Sequence, residues 1–282
     1  MLKQEFVTMN LLVLLAPILF ACPAAPLQIL LPLYEYPGAS ASAWANATAA
    51  IAAYPTVQWQ VIINPNSGPN TISYPTDPNY VTGIANLNGY PNVITLGYVD
   101  TAYATRAYSA VVKDVSVYAE WASYTQANIS IGGIFFDDVV GSSGTAATEN
   151  VLEYYHNISA YAYAVVPSTI TPVVFNPGAL GPQQLFPYCD TMVEFEGSAS
   201  SYHDDITVKT LPSGNLGQSA IIIYDTMTTT DVKSLVHTMV EYGVGQIYFD
   251  HGSCFYKGQP TGCYNQSGAE ELEALAAAVA AG

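Results

Sequence analysis

Gly132-Gly133-Ile134-Phe135-Phe136-Asp137-Asp138 is an unbroken apolar run that stops on two carboxylates. Apolar residues at successive rather than alternate positions fit a strand buried on both faces, as in a parallel sheet covered by helices. Such sheets carry their chemistry at the C-terminal ends of the strands, and this run ends on Asp137 and Asp138. Neighbours on a strand point to opposite faces. The two acids therefore share a site only if the strand ends there and Asp138 turns over the mouth; otherwise Asp138 merely caps the next loop.

The same pattern recurs on both sides. Apolar strands are predicted over Leu27–Tyr34, Gln58–Ile63, Val93–Val99, Ile131–Phe136, Pro172–Phe175, Thr191–Phe195, Ala220–Tyr224 and Gln246–Phe249. Helical stretches separate them: Ala43–Ala53, Asn79–Leu87, Val111–Tyr124, Glu149–Val165 and Thr230–Tyr242, with a closing amphipathic helix from Leu272. Turn-rich punctuation such as Asn64-Pro65-Asn66-Ser67-Gly68-Pro69 and Asn176-Pro177-Gly178 stops individual strands. Eight strands alternating with roughly eight helices predict a single-domain (β/α)8 TIM-type barrel over residues 26–282. An open doubly wound sheet is the runner-up, and no Gly-rich phosphate loop supports it.

In a barrel the strand ends form one mouth. In order they are Tyr34 and Glu35, Asn64, Asp100, Asp137 and Asp138, Asn176, Glu194 and Glu196, Asp225, and Asp250 with His251. A ring of carboxylates and amides without a nucleophile elbow, a His-Glu-x-x-His or any Cys/His zinc spacing suits glycosidic cleavage, with no metal or other cofactor. There one carboxylic acid protonates the leaving oxygen while another carboxylate attacks or activates water. Asp137, Asp138 and Glu196 are the catalytic candidates. Tyr34, Asn64, Tyr98, Asn176, Glu194, Tyr224, Asp250 and His251 are the candidates for sugar contact. Period two puts Glu194 on the face of Glu196, one layer deeper. Arg106, the single arginine, is expected to pair with a carboxylate, and His156, His203 and His237 fall in helices or connectors.

The charge balance is lopsided, with 22 acidic residues against 6 basic and a net charge of −16. A chain with so few cations cannot neutralise a row of phosphates, which excludes nucleic-acid binding. It suits a neutral or cationic substrate, or work at low pH. Residues 1–25 have the form of an export signal: Lys3, an apolar stretch Leu11–Phe20, and a cut expected between Ala21 and Ala25. Asn46, Asn128, Asn157 and Asn265 each begin a glycosylation sequon, which agrees with a secreted or wall-associated protein; no later segment reads as a membrane span, and a monomer is expected. In that compartment Cys254 and Cys263, separated by a short Gly/Pro-containing loop, are expected to form a disulfide. Cys189 is left as a buried thiol, and Cys22 lies at the signal boundary.

Several blocks, in order along most of the mature chain, resemble spherulin 4 proteins (spherulation-specific family 4). They are Pro32-Leu33-Tyr34 with Tyr36-Pro37 and Trp44; Ile63-Asn64-Pro65-Asn66-Ser67-Gly68-Pro69; Leu96-Gly97-Tyr98-Val99 with Thr101, Tyr103 and Arg106; Gly133-Ile134-Phe135-Phe136-Asp137; and Phe195-Glu196-Gly197-Ser198. The resemblance implies a (β/α)8 fold and, from characterised fungal members, endo-α-1,4-N-acetylgalactosaminidase activity on galactosaminogalactan. It also implies catalytic roles for Asp137, Asp138 and Glu196. Two positions depart from the pattern: Asp138 stands where Glu is usual, and Tyr224-Asp225 ends a strand that often ends in His. The competing function is a non-catalytic polysaccharide-binding protein of the wall or spore coat, which would have little need to keep Asp137 and Glu196. A chitinase-like strand four needs alternating acids, and Ile134 to Phe136 are apolar.

Overall fold

In a computed structural model, residues 26–70, 77–142, 147–202, 211, 214–224, 229–250, 255–256, 259–260 and 269–282 are described. Eight parallel strands close into a barrel in simple sequence order. They are β1 (Gln28–Leu33), β2 (Trp59–Ile63), β3 (Val93–Asp100), β4 (Gly133–Asp137), β5 (Val173–Phe175), β6 (Thr191–Ser198), β7 (Ser219–Tyr224) and β8 (Gln246–Phe249). The barrel is sealed where Gln28 and Ile29 of β1 pair with Gln246 and Ile247 of β8. All five residues of β2 are buried, as expected for strands covered on both sides.

The outer layer among the described residues holds six α-helices: α1 (Ala45–Ala53), α2 (Pro78–Leu87), α3 (Tyr108–Glu120), α4 (Glu149–Val165), α5 (Thr229–Tyr242) and α6 (Ala269–Ala281). Asp77 caps α2 by accepting from the Asn79 amide at 2.8 Å, and Pro78 fills the first helical position, where no amide hydrogen is needed. On α3, Val111, Val115 and Tyr118 make one buried stripe at helical spacing. Between β5 and β6 the chain makes only a 3-10 segment, Gln183–Tyr188. Pro182 at its start and Pro187 inside it remove the amides and the space that a continuing α-helix requires.

Two glycines allow the close approaches that hold the site's strands. A Cβ at Gly97 would lie 2.5 Å from the Tyr118 ring, so its absence lets that ring lie flat on β3 and donate its hydroxyl to the Ile63 carbonyl at 3.1 Å. A Cβ at Gly133 would collide with the Pro172 carbonyl, which receives the Ile134 amide at 2.9 Å. The three tryptophans, Trp44, Trp59 and Trp121, are all fully buried. No helix among the described residues is long and apolar enough to cross a membrane. Residues 1–25 and the expected Cys254–Cys263 disulfide lie outside the described residues, whereas Cys189 is a buried free thiol.

Candidate active site

The centre of the mouth is built by the ends of three adjacent strands. β4 stops at Asp137, and Asp138 follows in a left-handed conformation with φ of 50°. That turn carries the chain over the rim, and a non-glycine residue adopts it only when held there. The holding groups come from the neighbouring loop. The Thr101 amide donates to the Asp137 carbonyl at 3.0 Å, its hydroxyl reaches the Asp137 and Asp138 carbonyls at 2.9 and 2.8 Å, and the Tyr103 amide reaches the Asp138 carbonyl at 2.6 Å. Beyond the turn, the Val140 amide donates to the Tyr155 hydroxyl at 3.0 Å.

Tyr103 itself lies in a run of three left-handed residues, Ala102 to Ala104, and is 57% exposed. Its hydroxyl faces the Asp138 carboxylate, and the hydrogen bond to it first, then its charge, raise the phenol's pKa. Thr101, Tyr103 and Tyr155 are the residues that strand-end reasoning missed, since their partners come from β4 or just beyond it. Thr101 and Tyr103 carried a signal only through the block that resembles the spherulin 4 proteins, and Tyr155 carried none.

Asp137 is the most constrained side chain of the site. Its Oδ2 accepts from the Tyr98 hydroxyl at 2.5 Å and its Oδ1 from the Asn176 amide nitrogen at 2.8 Å. Burial pushes its pKa up to about 7; the Tyr98 hydrogen bond opposes that rise and the nearby Glu196 charge adds to it. The same Asn176 nitrogen donates to Glu196 Oε2 at 2.7 Å. One amide thus bridges the two carboxylates, and the bonded oxygens are no more than about 5.5 Å apart. Tyr34 stacks edge-on against Tyr98 with ring centroids 5.6 Å apart. Burial, then the charges of Asp137 and Glu196, raise its phenol pKa well above the ordinary value.

Glu194 lies elsewhere. A β-bulge between Val193 and Phe195 interrupts the pairing of β6 with β7, so the period-two expectation that aligns Glu194 with Glu196 fails. The Glu194 carboxylate turns to the β5–β6 connector, where Oε1 accepts from the Gly181 amide at 3.2 Å. Oε2 is buried with no hydrogen-bond partner among the described residues, and burial raises the pKa to about 7.

The remaining candidates are dispersed. Asn64 Oδ1 accepts from the Gly68 amide at 3.3 Å and closes its own turn. Asp250 is fully buried at the end of β8, and Tyr224 is half-buried at the end of β7. Asp225 and His251 lie outside the described residues. Arg106 pairs with Asp114 at 2.5 Å and donates to the Asp100 carbonyl at 2.8 Å, tying down the loop after β3. No group of three or more His, Cys, Asp or Glu among the described residues could hold a metal ion.

A closed parallel barrel with paired carboxylates at its strand ends has the architecture of a glycosidase, and comparison with known proteins agrees. The model of spherulation-specific family 4 matches residues 28–270, and the chain belongs to that family. It is 30% identical over 241 residues to Spherulin-4 of Physarum polycephalum, an alignment covering 83% of this chain and 66% of that protein's length. Among solved structures, Aspergillus clavatus Sph3 in complex with GalNAc matches with a TM-score of 0.75 and 29% identity, over 89% of this chain and 98% of that one. An endo-β-1,4-mannanase from Thermotoga petrophila matches with a TM-score of 0.55 and 10% identity, over 90% of this chain and 76% of that one. A chitinase from Rhizomucor miehei, with a TM-score of 0.51 and 10% identity over 90% of this chain and all of that one, likewise shares the fold alone.

Proposed function

We propose that this protein is a secreted, endo-acting glycoside hydrolase that cleaves an α-1,4-linked N-acetylgalactosamine polymer of the galactosaminogalactan type with retention of configuration. The observation that carries the reaction is the single Asn176 amide shared by Asp137 and Glu196. The two oxygens it holds, Asp137 Oδ1 and Glu196 Oε2, lie within about 5.5 Å of each other, which supports the ~5–5.5 Å spacing of retaining enzymes over the ~6.5–9.5 Å of inverting ones. The GalNAc in the complex of the Aspergillus relative, and the family itself, support the substrate class.

Asp137 is assigned as the nucleophile and Glu196 as the acid and then the base. Asp137 accepts a hydrogen bond on each oxygen, which orients it as an anion for attack, and because burial raises its proton affinity the pair's single proton must sit on Glu196 when the reaction starts. Glu196 can carry the proton on Oε1 while Oε2 still accepts from Asn176. Asp137 attacks the anomeric carbon as Glu196 protonates the leaving oxygen, giving a glycosyl ester on Asp137. Glu196 then takes a proton from water, which attacks the ester and frees Asp137. In an α-linked 2-acetamido sugar the acetamide lies on the same side as the leaving group and cannot attack from behind, so a protein carboxylate must. Asp138, held by Tyr103, orients the sugar at the rim.

Purified protein incubated with a panel of amino-sugar polymers is expected to release oligosaccharides, read by mass spectrometry, from the α-1,4-linked galactosamine polymer. Binding without cleavage would instead favour the wall-protein function. Export is tested by expression in a eukaryotic host, with a mature N-terminus expected just after the cut between residues 21 and 25.

A further inference from the structure

Asn176 directly follows β5 with every polar group committed. Its backbone amide donates to the Phe136 carbonyl at 2.9 Å, and its own carbonyl accepts from the Val139 amide at 3.0 Å. Its Oδ1 accepts from the Gly178 amide at 2.9 Å. That contact decides which way the side chain faces. Flipped, Oδ1 would meet two carboxylate acceptors while the NH2 group confronted an N–H donor, and all three bonds would be lost. In the observed orientation both amide hydrogens go to carboxylates, one to Asp137 and one to Glu196. With the side chain only 5% exposed, no donor is left over for a sugar hydroxyl.

Resting on the glycosidase reading above, we infer that Asn176 is a positioning residue that fixes the spacing and the shared protonation of Asp137 and Glu196, and that it takes no part in binding the sugar. A neutral donor between two like charges does what a cation would do at greater cost. It offsets their repulsion at short range while leaving the pair able to hold one proton. A cation there would favour losing that proton too. Without the bridge, Glu196 loses a contact that restrains its longer stem, and the two carboxylates move apart.

The test is a carboxyl NMR titration of the full chain, read at Asp137 and Glu196 in the wild type, Asn176→Ala and Asn176→Asp, together with kinetics across pH. A lost donor to two anions raises their proton affinity, so the apparent pKa values of the pair are expected to rise by about one unit in Asn176→Ala. They rise further in Asn176→Asp, where a third carboxylate joins them. The alkaline limb of activity moves up by the same amount, kcat falls about 100-fold, and KM changes by less than about threefold.

A tenfold rise in KM with kcat and the pH profile unchanged would make Asn176 a sugar contact and overturn the inference. A lowered Tm with unmoved titrations would reduce it to a packing residue and overturn it equally. If Asn176→Ala does not fold, Asn176→Asp, which keeps the shape and the Gly178 contact, decides from the titration. Failure of the wild type to cleave any polymer would sink the proposed reaction but not the positioning role, because the titrations are read without substrate.

Discussion

The Tyr98 hydroxyl reaches Asp137 Oδ2 at 2.5 Å diagonally across the β3–β4 seam, although the register sets Tyr98 opposite Phe135 and Asp137 opposite Asp100. Burial first, and the Asp137 charge next, push the Tyr98 pKa far above its ordinary value, so the phenol remains a donor at any working pH. Tyr98→Phe removes one hydrogen bond to a charged acceptor, worth about 1.5–3 kcal/mol. A fall in kcat/KM of roughly 10- to 150-fold is expected, with the fold intact by circular dichroism. Unchanged kcat/KM would show that Tyr98 does not orient Asp137 for the reaction.

Asp137→Asn and Glu196→Gln are each expected to lower kcat by about 10³-fold or more while folding normally. With Asp137→Ala, azide should fill the vacated space and restore turnover, giving a glycosyl azide of inverted configuration. In the wild type, NMR of fresh product should show the α anomer first. The β anomer first would mean inversion and would remove Asp137 as nucleophile.

The reaction needs one proton on the carboxylate pair. With Asp137 raised to about 7, chiefly by burial, the pair keeps that proton below neutral pH and loses it above. The kcat/KM profile is therefore expected to decline above about pH 7, with the apparent value belonging to the pair rather than to one residue. A profile still flat at pH 9 would contradict this.

Glu194 makes a separate prediction about stability. Burial lifts its folded pKa from the ordinary 4.5 to about 7, so the folded state holds the proton more tightly than the unfolded chain does. The associated stability is fully present below the unfolded pKa and is lost as pH rises through about 7. Glu194→Gln cannot ionise, so its Tm should fall less between pH 5 and pH 8 than that of the wild type, and exceed it at pH 8. Parallel Tm curves for the two proteins would refute the buried-carboxyl argument.

The barrel was legible because its signals are local. Each apolar run from Leu27–Tyr34 to Gln246–Phe249 corresponds to a strand, within a few residues at its ends. The positions of Asp137, Asn176 and Glu196 followed from being where those runs stop. What stayed hidden depends on partners distant in sequence or on one-residue irregularities. The bulge that turns Glu194 away is a single extra residue with no compositional mark. The left-handed turn at Asp138 exists because Thr101 and Tyr103, some 35 residues earlier, grip its carbonyl. Between β5 and β6 no helix was read, and the chain there makes only a 3-10 segment flanked and broken by Pro182 and Pro187.

The burial of Trp44, Trp59 and Trp121 has an optical consequence. Every indole emits from inside the protein, so a sugar entering the mouth meets no exposed indole. Excitation at a wavelength selective for indole is therefore expected to give a blue-shifted emission that reddens on denaturation and stays nearly silent when an oligosaccharide binds. The same signal serves as a clean monitor of unfolding for each variant above, and affinity is better followed by calorimetry.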